Sequence, residues 1–513
     1  MLAGILLFQP AIVAWGGALL VGLSIGRAIT LLNVARVRSA GFEMVWRGGE
    51  RSVRVLRGQP VTLFAEVRNR DTRAARYVQL RVIGSPSVGV ELEPDSGEVP
   101  AGGRLEVSVT VTARRVGRQG LFGLGLELRG SPGLFEVPLT FSNPLGLEVL
   151  PSPLPPGRGT PPASGGVLVG LGSSRRSGDS TEFSEIREYQ AGDPLKRVAW
   201  KASARRGKLL VRKYEVEERD LVWFVLDASV ELWAGRVGAA PLDQLIDAVA
   251  RLARQHLRAG HEVGLVIAAS GELVRIPAHR GTAHERRLLE ALSSVPTTLE
   301  PGRSGLDERG VALRVLEHLR SLVPPEAMLI EPGDLDRIGS LAERVRAQAP
   351  FPAVRVAAPT PRESALRTHL AAFGIGSPPR LEARAPSTDS ALGEAVLSLA
   401  RGRPLPSVVY VASLMPDEDR MRELGPRLRQ VRRQRTGLVW LYPSELAGLD
   451  TAAHLQAQVS STAAALRIQS ERPQGEERLW RAGIRPLACT ALDAAGVWAT
   501  SIVAPRRARS RVG

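Results

Sequence analysis

The chain has 513 residues, a net charge of +16 from 68 Lys and Arg against 52 Asp and Glu, and a single cysteine. That length exceeds what one hydrophobic core usually organises and predicts two or three domains, while 44% apolar against 23% charged residues excludes a disordered chain. One cysteine, Cys489, excludes an intramolecular disulfide framework, and seven histidines without an HExxH-type spacing give no zinc motif.

Residues 1–26 carry no charge, and the apolar pattern runs on to Val34 with Arg27 as its only charged interruption. From Ala11 to Val34 a helix would be about 36 Å long, enough for a hydrocarbon core of about 30 Å. A cleaved signal peptide wants positive charge before the apolar run, and here the charges follow it at Arg27, Arg36, Arg38 and Arg47. The positive-inside rule then predicts a cell-membrane anchor over 1–38 with the soluble part in the cytoplasm. The short LAGILLF before Gln9-Pro10 is too short to span alone; a remnant of a first helix in a hairpin and a chain start placed too late both stay open.

Residues 48–150 read as a small antiparallel β-sandwich. RLEVSVTVTA (104–113) alternates strictly, with Leu105, Val107, Val109 and Val111 on one face. A Pro/Gly/Ser-rich connector opens the 151–219 linker and signature segment. From 220 the texture changes to alternating strands and helices over 220–440, predicting a doubly wound α/β domain. LVWFVLDAS is its first buried strand, PLDQLIDAVARLARQHLRAG a helix closed by Gly260, and EVGLVIAA the next strand. AMLIEP, AVRVAA, SVVYVAS and TGLVWLYP read as further strands, and 441–513 as a C-terminal helical extension.

The stretch EFSEIREYQAGDPLKRVAWKASARRGKLLVRKYEVEE (182–218) holds all four lysines, Lys196, Lys201, Lys208 and Lys213. The remaining basic residues are arginines set beside glutamates along the whole chain, and only 4% of residues are aromatic. Electrostatic nucleic-acid binding needs cations gathered on one face with rings for stacking, so no nucleic-acid partner is expected. Gly192 breaks, Asp193 can cap and Pro194 suits a first helical position, giving a sharp helix start with Trp200 as its apolar anchor. Acids and bases interleave around Phe183, Tyr189 and Trp200, which predicts a packed ion-pair network at a domain boundary. On that reading Lys201 and Arg205 help lock the β-domain, the linker and the first α/β strand together.

This stretch resembles the signature of the domain-of-unknown-function 58 family, carried by Glu182, Phe183, Arg187, Glu188, Tyr189, Gly192, Asp193, Arg197, Trp200, Lys201, Ser203, Ala204 and Arg205. One position departs from the pattern: the residue before Trp200 is usually acidic and is Ala199 here. The resemblance implies a membrane-anchored protein with a β-rich domain followed by a von Willebrand factor A-like, Rossmann-type domain. It also implies a non-enzymatic adaptor working with a MoxR-type AAA+ ATPase in the assembly or maturation of other complexes. The chain lacks a Walker A pattern, so ATP hydrolysis would be the partner's.

A-like folds often hold Mg²⁺ at the end of the first strand through the pattern D-x-S-x-S, with one carboxylate and two hydroxyls as ligands. Here the stretch is DASVE: Asp227 and Ser229 match and Glu231 replaces the second serine. Ser304, Asp307, Asp334 and Asp336 are the nearest counterparts of the further ligands. The expectation is a degenerate site with no cofactor, Asp227 capping the following turn. Two rival functions remain. One is a hydrolase in the Asp227 crevice, which would need His256, His261, His279 or His284 as base; the other is a cell-surface adhesion module.

Overall fold

The structure, a computed structural model, describes residues 10–129, 135–152, 176–190, 198–216, 220–229, 232, 237–238, 240–269, 272–299, 306–376, 388–434, 436–443, 470 and 472–489. The chain divides into two compact units. One comprises Met1–Ser152, Gly235–Asp243 and Leu289–Ala385; the other comprises Pro153–Ala234, Gln244–Leu288 and Pro386–Gly513.

The first unit opens with helix α1 (Pro10–Ala40), whose segment Pro10–Asn33 is long and apolar enough to cross a membrane. Trp15 is 74% exposed and Leu32 70%, and Leu19, Leu20 and Val21 are exposed with them. Apolar side chains left open along a whole helix suit lipid, since in water they would form a large sticky patch. Gly41, at φ 88°, turns the chain out of the helix, and Arg70 N donates to the Gly41 carbonyl.

Nine strands follow: β1 (Phe42–Trp46), β2 (Ser52–Leu56), β3 (Pro60–Asn69), β4 (Ala75–Gly84), β5 (Val88–Glu93), β6 (Gly97–Val99), β7 (Arg104–Ala113), β8 (Gly117–Arg129) and β9 (Glu136–Leu150). They form two sheets, ordered β1-β3-β7-β5 and β2-β9-β8-β4-β6, around one shared core. The alternation in β7 is realised as the sequence predicts: Val107, Val109 and Val111 are buried against Leu124, Leu126 and Leu147 of the other sheet. The sandwich is antiparallel apart from one pair, β2 with β9, which runs parallel.

The second unit begins with β10 (Arg176–Glu188), the short helix α2 (Trp200–Arg206) and β11 (Leu210–Val216), the two strands pairing antiparallel. Most of the 151–166 connector lies outside the described residues. Next come β12 (Leu221–Asp227), α3 (Pro241–Arg258), β13 (Glu262–Ala269), β14 (Glu272–His279) and α4 (Thr282–Leu299). Gly260, at φ 85°, follows α3 where the sequence places its end.

The chain then returns to the first unit through α5 (Glu308–Leu322), α6 (Pro324–Ala327), α7 (Leu335–Val345) and α8 (Pro361–Ala372). The α/β span read as continuous over 220–440 is therefore interrupted. These helices pack on β8 and β9 because glycines there leave room. A Cβ on Gly146 would stand 2.6 Å from the Phe351 ring, and one on Gly120 would stand 2.6 Å from the Phe373 carbonyl. Phe122 of β8 meets the His318 ring of α5 edge-on at 4.6 Å. AMLIEP and AVRVAA, read as strands, form none: Leu329 is 80% exposed and Val354 61%. A run of β-prone residues becomes a strand only where a neighbouring ladder accepts it.

Back in the second unit, α9 (Thr388–Arg401), β15 (Val408–Ala412), α10 (Glu418–Arg433), β16 (Gly437–Tyr442) and β17 (Arg485–Ala488) complete a six-stranded sheet. Its order is β14-β13-β12-β15-β16-β17, with β14 the one antiparallel edge. One face carries α9 and α10 over Val225, Val266, Val409 and Val411. On the other, His256 of α3 lies 3.0 Å from the Tyr410 hydroxyl, whose ring stacks on Phe224. The C-terminal segment read as a helical extension supplies a helix over 472–481 and the sixth strand, because β17 finds an open parallel edge on β16.

Candidate functional site

In an open α/β sheet the crevice lies beyond the carboxyl ends of the strands, where the strand order reverses. That point here falls between β12 and β15, so Asp227 at the end of β12 and Ser413 just after β15 share it. Asp227 is fully buried. Its Oδ1 accepts from the Ser229 amide at 2.9 Å, the turn-capping role expected from sequence. Its Oδ2 accepts from Ser413 Oγ at 2.5 Å and from Arg420 Nη2 at 3.0 Å.

Arg420 comes from the first turn of α10, whose start is fixed by Asp417 accepting from the Arg420 amide. Its Nε donates to Asp389 Oδ1 of α9 at 2.7 Å, so one guanidinium bridges two carboxylates. Burial works against the Arg420 charge, but Asp227 and Asp389 outweigh it and keep the group firmly protonated. Burial also pushes the Asp389 carboxyl above its usual range, against the pull of Arg420. Two polar atoms in this cluster, Arg420 Nη1 and Ser229 Oγ, are buried without a hydrogen-bond partner.

Asp227 and Ser229 thus share a site, whereas Glu231 lies outside the described residues. The other suggested ligands do different work. Asp307 caps α5, Asp334 caps α7, and Asp336 pairs with Arg362; Ser304 lies outside the described residues. Among the described residues no group of three or more His, Cys, Asp or Glu could hold a metal ion. Sequence reasoning missed Arg420, Asp389 and Ser413. The nearest signal is the arginine-rich run between SVVYVAS and TGLVWLYP, which gives no pointer to Asp227 in the sequence.

The four histidines proposed as bases sit at the other end of the sheet. His261 Nδ1 is 3.8 Å from Asp220, just before β12, and His256 bonds Tyr410. His284 is buried and bonds the Val263 carbonyl at 2.7 Å; His279 pairs with Val263 in the sheet.

The signature segment forms a second site. Ser203 of α2 is buried and knots the segment: its Oγ donates to the Ala199 carbonyl and accepts from the Leu210 amide at 2.9 Å. Val198, Ala199, Leu210 and Val211 are buried around it, and Gly207, at φ 68°, ends the helix. Ala199 occupies the N-cap position and, as alanine, supplies no side-chain cap to α2. Trp200 is not the buried anchor expected: it is 63% exposed. A short helix held from its Ser203 side needs no buried indole. Lys201, Ala204, Arg205 and Arg206 are exposed beside it. Glu188 pairs with Lys208 at 3.0 Å on the surface, and Tyr189 is half-buried. Glu182, Phe183 and Arg187 lie along β10, with Phe183 paired to Tyr214; Gly192, Asp193 and Arg197 lie outside the described residues. Most members of the ion-pair network expected here lie outside the described side chains; those described leave exposed Lys201, Arg205 and Arg206 beside the Trp200 indole.

Comparison with known proteins agrees on this region. Residues 185–323 match the family model described as protein of unknown function DUF58. The uncharacterized protein Rv1480 of Mycobacterium tuberculosis and Mb1516 of Mycobacterium bovis are each 29% identical over 157 residues. Those residues are 31% of this chain, and the chain spans about half the length of these relatives. Among solved structures, a PapD-like domain of human CEP192 aligns with 21% of this chain and 84% of its own, at 17% identity and a TM-score of 0.17. The secreted serine protease VesC from Vibrio cholerae aligns with 24% of this chain and 25% of its own, at 13% identity and a TM-score of 0.17. Scores this low carry no fold assignment.

Proposed function

We propose that this chain is a membrane-tethered, cytoplasmic adaptor of the DUF58 type with no catalytic centre of its own, presenting its second unit to a MoxR-type AAA+ ATPase. The observation that carries the reading is Trp200, an indole 63% exposed on a knotted helix inside the family match. Exposed Trp with Arg around it is the composition of interface hot spots. Lys201, Arg205 and Arg206 favour an acidic partner surface. The strand order with its antiparallel β14 edge supports a von Willebrand factor A-like second unit, and the apolar α1 supports the tether.

The Asp227 crevice supports an internal structural role. A-like sites use a divalent ion where this chain has the Arg420 guanidinium, and Mg²⁺ on Asp227 would have to displace it. Among the described residues, Asp227 and Ser229 with Arg420 set against them do not fit a bound Mg²⁺. A hydrolase finds no histidine base there among the described residues, because its four candidates belong to the opposite end of the sheet.

The test is capture of partners from the native lysate by the full chain in detergent, with nucleotide present. Retention of a AAA+ ATPase by the wild type and its loss in Trp200→Ala is the expected result. Equal retention by both variants sinks the role given to Trp200, and no retention by either sinks the adaptor reading.

A further inference from the structure

The end of the β-sandwich nearest α1 is fastened to that helix, and the fastening fixes its depth. Arg36 Nε donates to Asp71 Oδ2 at 2.9 Å, with Asp71 only 5% exposed, and Arg70 N donates to the Gly41 carbonyl. Asp71 belongs to the β3–β4 loop, which is internally braced. Asn69 Nδ2 donates to the Arg73 and Pro100 carbonyls, the Asp71 amide donates to Asn69 Oδ1, and Gly102 N donates to the Asp71 carbonyl. This loop cannot swing freely away from the helix end.

The membrane-competent segment ends at Asn33, three residues before Arg36. Three residues of helix rise about 4.5 Å. The headgroup layer outside the hydrocarbon core is about 5–8 Å thick on each side. The Arg36–Asp71 pair therefore falls within that layer when α1 spans a bilayer, and the loop around Asp71 falls there with it.

The charged side chains at this end of the sandwich come from five strands. Glu43 of β1 takes Arg70 at 2.7 Å; Glu66 of β3 takes Arg68 at 2.8 Å and Arg104 of β7 at 3.2 Å. Arg76 of β4 stands opposite Glu98 of β6. Arg73 is exposed and has no carboxylate partner among the described residues. Arg70 and Arg104 also remain mostly exposed beyond their single acids.

We infer that the loop at residues 70–73 is a lipid-contacting element that binds the phosphates of anionic headgroups, with Arg73 as its principal ligand. The inference rests on the tether reading of α1. Continuity with the spanning helix argues for a lipid over a free phosphate, because the loop is carried to the headgroups whenever the helix inserts. A guanidinium suits a phosphate through paired N–H donors.

The full chain in lipid nanodiscs tests this. A fluorophore on Thr72→Cys reports the loop, since Thr72 is exposed and the native Cys489 is buried. A second on Gln59→Cys reports the far end of β3, about 30 Å along the strand. With a quencher on lipid headgroups and anionic phosphatidylglycerol in the disc, the Thr72 probe is quenched and the Gln59 probe is not. Arg73→Ala lowers the docked-to-undocked ratio about fivefold, the expected effect of one basic residue near an anionic leaflet. Equal quenching at both positions, or quenching unchanged when zwitterionic lipid replaces the anionic lipid, overturns the inference. Loss of the whole chain from the discs in a high-pH wash removes the tether reading and the loop contact with it; retention with an unquenched Thr72 removes the loop contact alone.

Discussion

Arg420 Nη2 lies 3.0 Å from Asp227 Oδ2, joining the start of α10 to the end of β12 across 193 residues of sequence. Removing one partner of a buried pair strands the other charge, at a cost of about 3–5 kcal/mol. Arg420→Gln should lower stability by that order, and Asp227→Asn somewhat less, since its amide can still meet Ser413 and Ser229. The double variant should cost less than the sum of the two. Denaturant melts of all four proteins complete the cycle, and strict additivity counts against a coupled pair.

The same pair predicts the response to metal. Wild-type protein titrated with Mg²⁺ in a calorimeter should give no saturable heat in the micromolar range. A micromolar site lost in Asp227→Ala would falsify the assignment of Arg420 as the resident cation.

Acid should unfold this protein through its buried histidines. His369 Nδ1 donates to the Ala342 carbonyl, leaving Nε2 to accept from His318 Nδ1 at 3.2 Å, so both rings are held neutral. Burial pushes His369 down to about 4 and His256 down to about 3, and His318 well below its ordinary value. The unfolded chain takes up these protons near pH 6.5 and the folded chain does not. Stability is therefore complete above that pH, falls as pH drops below it, and stops falling on this account once the folded values are passed. His369 alone accounts for about 3 kcal/mol over its window. Denaturant midpoints measured from pH 7.5 to 4.5 should decline steadily, and a flat profile contradicts the neutral pair.

Ser203→Ala should loosen the signature segment. The Leu210 amide, buried and bonded to Ser203 Oγ, would lose its acceptor at about 1–3 kcal/mol. Hydrogen exchange at Leu210 should accelerate accordingly. Lys201→Ala, at an exposed position, should shift stability by less than about 0.5 kcal/mol.

Gly146→Ala tests the docking of the helices on the sandwich. The new methyl would collide with the Phe351 ring and cost about 1–3 kcal/mol. Gly146→Ala combined with Phe351→Leu should recover part of the loss.

Where one segment decides its own state, the sequence reads well. Alternation in β7, the continuous apolar run of β12 and the amphipathic stripe of α3 closed by Gly260 depend on local periodicity, and each is found where expected. Pairings over long separations were not legible. Nothing near Asp227 points to Arg420 or Ser413, and nothing in AVRVAA reveals that no ladder awaits it. The glycines of β8 and β9 carry no such signal on their own: what Gly120 and Gly146 do shows only once Phe373 and Phe351 rest on them.

The interruption of the sheet by α5–α8 has a consequence for synthesis. β12 gains β13 within about forty residues, but its other neighbour, β15, begins only at Val408. At roughly 5–20 residues per second, the ribosome leaves that edge of β12 without its partner for about ten to forty seconds. A central apolar strand with an open edge is a template for wrong pairing. During that interval the nascent chain is at its most aggregation-prone, and a tether that slows its diffusion or a helper that covers the edge would have its greatest effect then.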